Sequence, residues 1–271
     1  MKRLIVGLAA FVAMVGFGAT GAGAQTAAVR VHLIHGIPGT PVDVYVDGKV
    51  VFEDFQPGDT QDLSNLAGQT LVNVQVKPAG EDTVVIEGGD LDVPASGNYT
   101  VIAHLDASGT PKLTVFANDT AATPAGQGRL VVRHTAAAPA VDVLANGTAA
   151  FTNLTNPNEA KADLPAGTIS ASVVPTGKTE PVVIGPADLQ VTEGASLIVY
   201  AVGSLEDETL TVVTETIDGL GTPPAAVNTG NSPVENDATT WPLFATLAVL
   251  GGFAIFAVTV GTRRLARVRT R

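Results

Sequence analysis

An internal repeat does most to limit what this chain can become. The segment His35-Gly-Ile-Pro-Gly-Thr-Pro-Val-Asp43-Val-Tyr-Val-Asp47-Gly48-Lys-Val-Val-Phe52 returns as His134-Thr-Ala-Ala-Ala-Pro-Ala-Val-Asp142-Val-Leu-Ala-Asn146-Gly147-Thr-Ala-Ala-Phe151, 99 residues on (134 minus 35). Ala67-Gly68 matches Ala166-Gly167, and Val84-Val85-Ile86 matches Val182-Val183-Ile184, at nearly the same offset. Self-similarity at a fixed period sets the domain count before anything else. Two tandem copies of one domain are expected, at 27–119 and 129–217, joined by a linker at 120–128 rich in Ala, Gly, Thr and Pro.

Inside each copy the periodicity is that of strands. Between Thr70 and Lys77, Val72, Val74 and Val76 alternate with Asn73, Gln75 and Lys77, which predicts one face in a core and one in water. Ile169, Ala171 and Val173 alternate with Ser170 and Ser172 in the same way. Asp47-Gly48 and Asn146-Gly147 suit the positive backbone angles of a two-residue hairpin turn. The first copy offers seven strands: Val29 to His35, Val42 to Val46, Lys49 to Glu53, Leu71 to Lys77, Thr83 to Glu87, Tyr99 to Leu105 and Lys112 to Ala117. Seven short strands without a helical pattern predict an all-β fold of two tandem immunoglobulin-like antiparallel β-sandwiches, plus a C-terminal transmembrane helix.

That helix is expected at 241–260, an apolar run long enough to cross a hydrocarbon core about 30 Å thick. Arg263, Arg264, Arg267, Arg269 and Arg271 follow it, and such a basic tail at 261–271 favours the cytoplasmic side. At the other end, Lys2 and Arg3, a short apolar stretch and Ala22-Gly23-Ala24 form a signal-peptide pattern over 1–24, with cleavage expected between Ala24 and Gln25. Residues 218–240 have the Gly, Pro, Asn, Ser and Thr content of a disordered stalk. Within it, Thr229-Gly230 precedes the apolar run and basic tail in the order of a degenerate sorting signal, so a sortase-processed, wall-linked product is the alternative to a plain anchor. The expected location is the cell membrane, single-pass with the N-terminal region extracellular, or the cell wall.

Without leader and tail, 8 of the 15 Lys and Arg residues remain against all 26 acidic ones, a net charge of minus 18 (8 minus 26). Such a surface repels phosphates, so nucleic acid is excluded as a partner. The absence of cysteine removes disulfides, thiol nucleophiles and thiolate metal sites.

The repeated block, with Arg30 or Arg133 near the His, His35 or His134, a Pro-containing turn, Val-Asp-Val or its counterpart and Asp-Gly or Asn-Gly, resembles the bacterial family catalogued as domain of unknown function 4397. Gly97-Asn-Tyr-Thr-Val101 is similar to that family's late strand. The resemblance implies an exported protein with sandwich-like repeats and a C-terminal anchor, and it implies no reaction. The second copy departs from the pattern, with Ala136-Ala137-Ala138 in the turn and Gly194-Ala-Ser-Leu-Ile at the later strand.

The repeated His and Asp are the first residues to ask about catalysis. A His with a carboxylate is a general-base unit, but no nucleophile elbow and no cysteine accompany it. The expectation is structural: His35 and His134 cap a strand end, and Asp43 and Asp142 bond to turn backbone or to the arginines. His32 and His35 lie three apart, on opposite faces of a strand, so zinc ligation by both is not expected. Asp90, Asp92 and Glu206-Asp207-Glu208 form no calcium loop. No catalytic, cofactor-binding or metal residue is assigned and no cofactor is expected. The functional expectation is a non-catalytic adhesion, ligand-binding or spacer module, its partners the membrane and an envelope polymer or surface protein. The competing class is an enzyme, or accessory domain, acting on envelope polymers through paired carboxylates.

Overall fold

The computed structural model describes residues 28–221, and within them the regular elements are strands apart from one short turn of 3-10 helix at Ser64–Leu66. The first half holds β1 (Arg30–His35), β2 (Val42–Val46), β3 (Lys49–Phe55), β4 (Thr60–Asp62), β5 (Thr70–Pro78), β6 (Ile86–Asp92), β7 (Asn98–Leu105) and β8 (Pro111–Ala117). The second holds β9 (Gln127–His134), β10 (Val141–Ala145), β11 (Thr148–Leu154), β12 (Glu159–Pro165), β13 (Gly167–Pro175), β14 (Ile184–Val191), β15 (Ser196–Val202) and β16 (Thr211–Ile217). The leader with Ala24 and Gln25, Thr229-Gly230, nearly all of the stalk, the apolar run 241–260 and the tail 261–271 lie outside the described residues. Among the described residues no helix is long and apolar enough to cross a membrane.

Each half is a sandwich of two four-stranded sheets. The first pairs β4-β1-β7-β8 with β3-β2-β5-β6, and the second pairs β12-β9-β15-β16 with β11-β10-β13-β14, so the repeat in sequence is a repeat in topology. Val31, Leu33, Val101 and Ala103 from one sheet meet Val42, Val44, Val74 and Val76 from the other to make the first core. Leu130, Val132 and Val199 meet Val141, Val143 and Val173 in the second. Two-residue turns close the β2–β3 and β10–β11 hairpins, with φ of 50° and 71° at Asp47-Gly48 and 50° and 78° at Asn146-Gly147. Those angles are the ones that match hairpin twist.

The order of strands corrects the immunoglobulin-like expectation. In that arrangement the first strand lies beside the second in one sheet. Here β1 and β2 belong to opposite sheets, and β1 runs parallel to β7. Spacing along the chain says nothing about which strands become neighbours. The eighth strand, β4, is three polar residues long and carries no apolar alternation, so the count of seven misses it.

Strand β5 brings a second correction. Val74 and Val76 are buried, but Val72 is 48% exposed. A bulge at Asn73, φ 50°, breaks the alternation, turns Leu71 toward the core and sends Val72 out. The Asn73 amide donates to Asp90 at 2.9 Å, which holds the bulge.

In the sheets carrying β1, β7 and β8 and β9, β15 and β16, the central strands have almost no wet face, while residues of the edge strands such as Val115 and Thr214 stay exposed. The outer surfaces of these sheets pack on one another in a third apolar cluster of Ile34, Ile102, Phe116, Val131, Ile198, Tyr200, Val202 and Ile217. Hence β9 and β15 are buried along almost their whole length, whereas β3 and β11 are exposed along most of theirs. Strands covered on both faces are apolar on both faces. The expected linker is pinned rather than slack: Thr123 is buried and donates its amide to Leu220, and Gln127 and Gly128 already belong to β9.

Candidate functional site

Each of the repeated histidines ends the first strand of its half and ties the loop that follows. His35 Nδ1 accepts the Ile37 amide at 3.3 Å while Nε2 contacts the Thr40 carbonyl at 3.0 Å. At His134 the partners are the Ala136 amide at 3.4 Å and the Pro139 carbonyl at 3.0 Å. An amide can only donate and a carbonyl only accept, so each ring is the neutral tautomer with its proton on Nε2. Burial holds both below the ordinary histidine pKa of 6.5.

The repeated aspartates act on backbone as well. Asp43 accepts the Asp54 amide at 2.8 Å and the Gly80 amide at 3.3 Å. Asp142 accepts those of Asn153 and Gly177, both at 2.8 Å, and these two donors hold its carboxyl below the usual range. Asp54 and Asn153 have φ of 52° and 54°, so each carboxylate braces a left-handed residue in the neighbouring strand. The bond to turn backbone, not a salt bridge to arginine, is what the structure displays at both aspartates. Each His has both ring nitrogens engaged by backbone.

A denser set of polar groups lies on the buried seam between the halves. Glu215, on β16, gathers His32 Nδ1 at 2.7 Å, the Thr100 hydroxyl at 2.7 Å and the Tyr200 hydroxyl at 2.9 Å. Arg133, 1% exposed, donates to Tyr200 at 2.6 Å, to Asn118 Oδ1 at 2.9 Å and to Glu159 at 2.8 Å. Its guanidinium lies 4.3 Å from the Phe116 ring centre, a cation–π contact across the seam. Asn118 Nδ2 donates to Thr100 at 3.0 Å, so acceptors and donors form one chain from Glu159 to His32. Burial pushes the Tyr200 hydroxyl pKa strongly upward. Arg129 extends the pattern beside the connector, forking onto Asp163 at 2.8 and 3.1 Å and pairing with Asp119 at 3.0 Å. Asn156, at the far end, donates to the carbonyls of Leu105 at 2.8 Å and Ala136 at 2.7 Å. Among the described residues one buried side-chain polar atom, Ser196 Oγ, has no hydrogen-bond partner. A buried network this well satisfied rigidifies what it joins.

His32 and His35 point to different surroundings, Glu215 and Thr40, as their spacing implies. Asp90 and Asp92 are engaged by the Asn73 amide and the Thr70 hydroxyl, and Glu206, Asp207 and Glu208 lie in an exposed turn. Among the described residues no group of three or more His, Asp or Glu could hold a metal ion. Two concavities stand out. One, about 260 Å³, lies inside the first sandwich with an apolar lining; the other, about 400 Å³, runs along the seam past Arg30, His32, Asn98 and Asp218.

Glu215, Tyr200 and Phe116 were not among the residues the sequence singled out. Their signal was present in the repeat as mismatch: at the strand positions equivalent to Ile34, Ile102 and Phe116, the second copy carries Arg133, Tyr200 and Glu215.

In class, the described chain is a pair of like-folded β-sandwiches fused through a buried polar seam. Residues 29–144 match the model of a family described as a domain of unknown function, DUF4397, and that part of the chain belongs to it. The match runs through the first sandwich and on into β10; the second sandwich is tied to the first by the shared strand order and the repeated residues. No curated protein matches the chain.

Proposed function

We propose that this is an exported, membrane-anchored surface protein whose two sandwiches act together as a rigid, non-catalytic module for binding or spacing at the cell envelope. The observation that carries the rigid-module reading is the seam, where Arg133, Glu215 and their partners join the two halves through buried hydrogen bonds. A hinge between tandem domains is usually a surface linker with few crossing contacts; Thr123 and Arg129 tie this one down. The non-catalytic reading is supported by the repeated His and Asp, whose polar atoms serve backbone. Export and anchoring rest on the leader pattern, the apolar run and the arginines after it.

Intact mass and fractionation of the native protein from its own cells test this reading. A detergent-extracted species that begins at Gln25 and retains Arg271 is expected. A species ending at Thr229 and released only by wall-digesting enzymes would replace the anchor with a sorting signal, and a cytoplasmic species with its leader intact would overturn the proposal.

A further inference from the structure

Protein interiors hold few voids larger than a water molecule, yet the first sandwich contains a cavity of about 260 Å³. An apolar void of about 150 Å³ already stays dry and admits benzene. Every lining side chain is apolar except His35, and both His35 nitrogens are committed to backbone. The cavity therefore offers a ligand no free hydrogen-bonding side chain, and a polar group carried inside would lose its water without compensation.

Its shape narrows the class further. The lining includes both ends of β2, Val42 and Val46, which lie about 13 Å apart at the rise of a strand. That length gives a mean cross-section of about 20 Å², the girth of one hydrocarbon chain. The deep end, at Leu33, Val42 and Phe55, is buried. The other end is half-exposed at Val46, Leu66, Leu71 and Leu91 and exposed at Val51, beside the Asp47-Gly48 turn. We propose that this cavity is a binding site for a single unbranched alkyl or acyl chain, entering tail-first at the hairpin end and leaving its polar head in water. At about 30 Å³ each, the share of a water molecule in the liquid and close to the size of a methylene, it takes roughly eight or nine carbons. The inference goes beyond the anchoring and spacing reading and can fail without touching it.

Photolabelling of the full chain with a ten-carbon alcohol bearing a diazirine near its tail, followed by peptide mapping, tests the site. Adducts are expected on peptides carrying β2, β3 and β5. Unlabelled straight-chain alcohols should compete about fourfold better per added methylene, with the gain ending near nine carbons. Val44→Phe, which fills the cavity, and Val51→Trp, which blocks its exposed end, should each cut that labelling at least tenfold while strand circular dichroism is retained. Because Val51 is 48% exposed, its variant tests the site even where the core variant fails to fold. Labelling confined to 241–260, labelling unchanged in a folded Val51→Trp protein, or a gain that continues unbroken through twelve carbons would each overturn the proposal.

Discussion

On the first sandwich the seam presents Ile34, Ile102 and Phe116 where the second presents Arg133, Tyr200 and Glu215; conversely, His32, Thr100 and Asn118 stand where the second has Val131, Ile198 and Ile217. At each equivalent position one half is apolar and the other polar or charged. The stitches, by contrast, are kept: His35 with His134, Asp43 with Asp142, Asp47-Gly48 with Asn146-Gly147. The two halves thus share what folds each sandwich and differ in what joins it to its twin. The result is a seam that discriminates. Two first sandwiches docked in the same way would set His32 and Thr100 against Phe116, with no carboxylate to receive them, and unpaired buried polar groups are how interfaces reject wrong partners.

The largest expected effect breaks the seam. Arg133→Met leaves Glu159, Asn118 and Tyr200 without their donor, and loss of one partner from a buried charge network costs about 3–5 kcal/mol. Urea unfolding should show that loss in the second sandwich and the first alike. Glu215→Gln keeps the shape and removes the charge that His32, Thr100 and Tyr200 share, at a cost of about 2–3 kcal/mol in the same assay.

The stitches sharpen the comparison from the other side. His35→Ala and His134→Ala should each lose about 2 kcal/mol and agree within about 0.5 kcal/mol, because each leaves one amide and one carbonyl unpaired. A large disparity would show the twin sites to be twins in geometry only. Both rings, with His104, are held by burial below the ordinary value of 6.5. The unfolded chain therefore binds more protons than the folded one below about pH 6.5, so stability is full above that value and falls as pH drops through it, by up to about 1.4 kcal/mol per pH unit for each His. Unfolding midpoints measured from pH 8 to pH 5 check the sign. The smallest effect belongs to the turns: Asn146→Ala, at φ 50°, should cost about 1 kcal/mol by thermal melting.

Much of a single sandwich was legible in the sequence, and little of the pair was. Most strand positions, both hairpin turns and the structural use of His35 and Asp43 follow from local chemistry: period-two alternation, residues that accept positive φ, and one polar side chain beside a turn; the strand expected at Thr83 to Glu87 lies instead at Ile86–Asp92. Strand order does not follow, because the parallel contact of β1 with β7 joins residues about 68 positions apart that share no local signal (Asn98 with Arg30). The seam escaped because Ile34 and Ile102 look like ordinary strand residues until a second sheet covers them. Val72 escaped because one residue, Asn73, shifts the phase of an otherwise regular alternation. The leader, span and sorting signal belong to sequence patterns that lie outside the described residues.

The central claim is that the two sandwiches form one body through a buried seam, and hydrogen exchange across a denaturant series tests it most directly. Amides of β5 in the first half and β13 in the second should lose protection at one shared midpoint, and Arg133→Met should lower that midpoint for both. Separate midpoints for β5 and β13 in the native sequence, or an Arg133→Met effect limited to the second half, would contradict it.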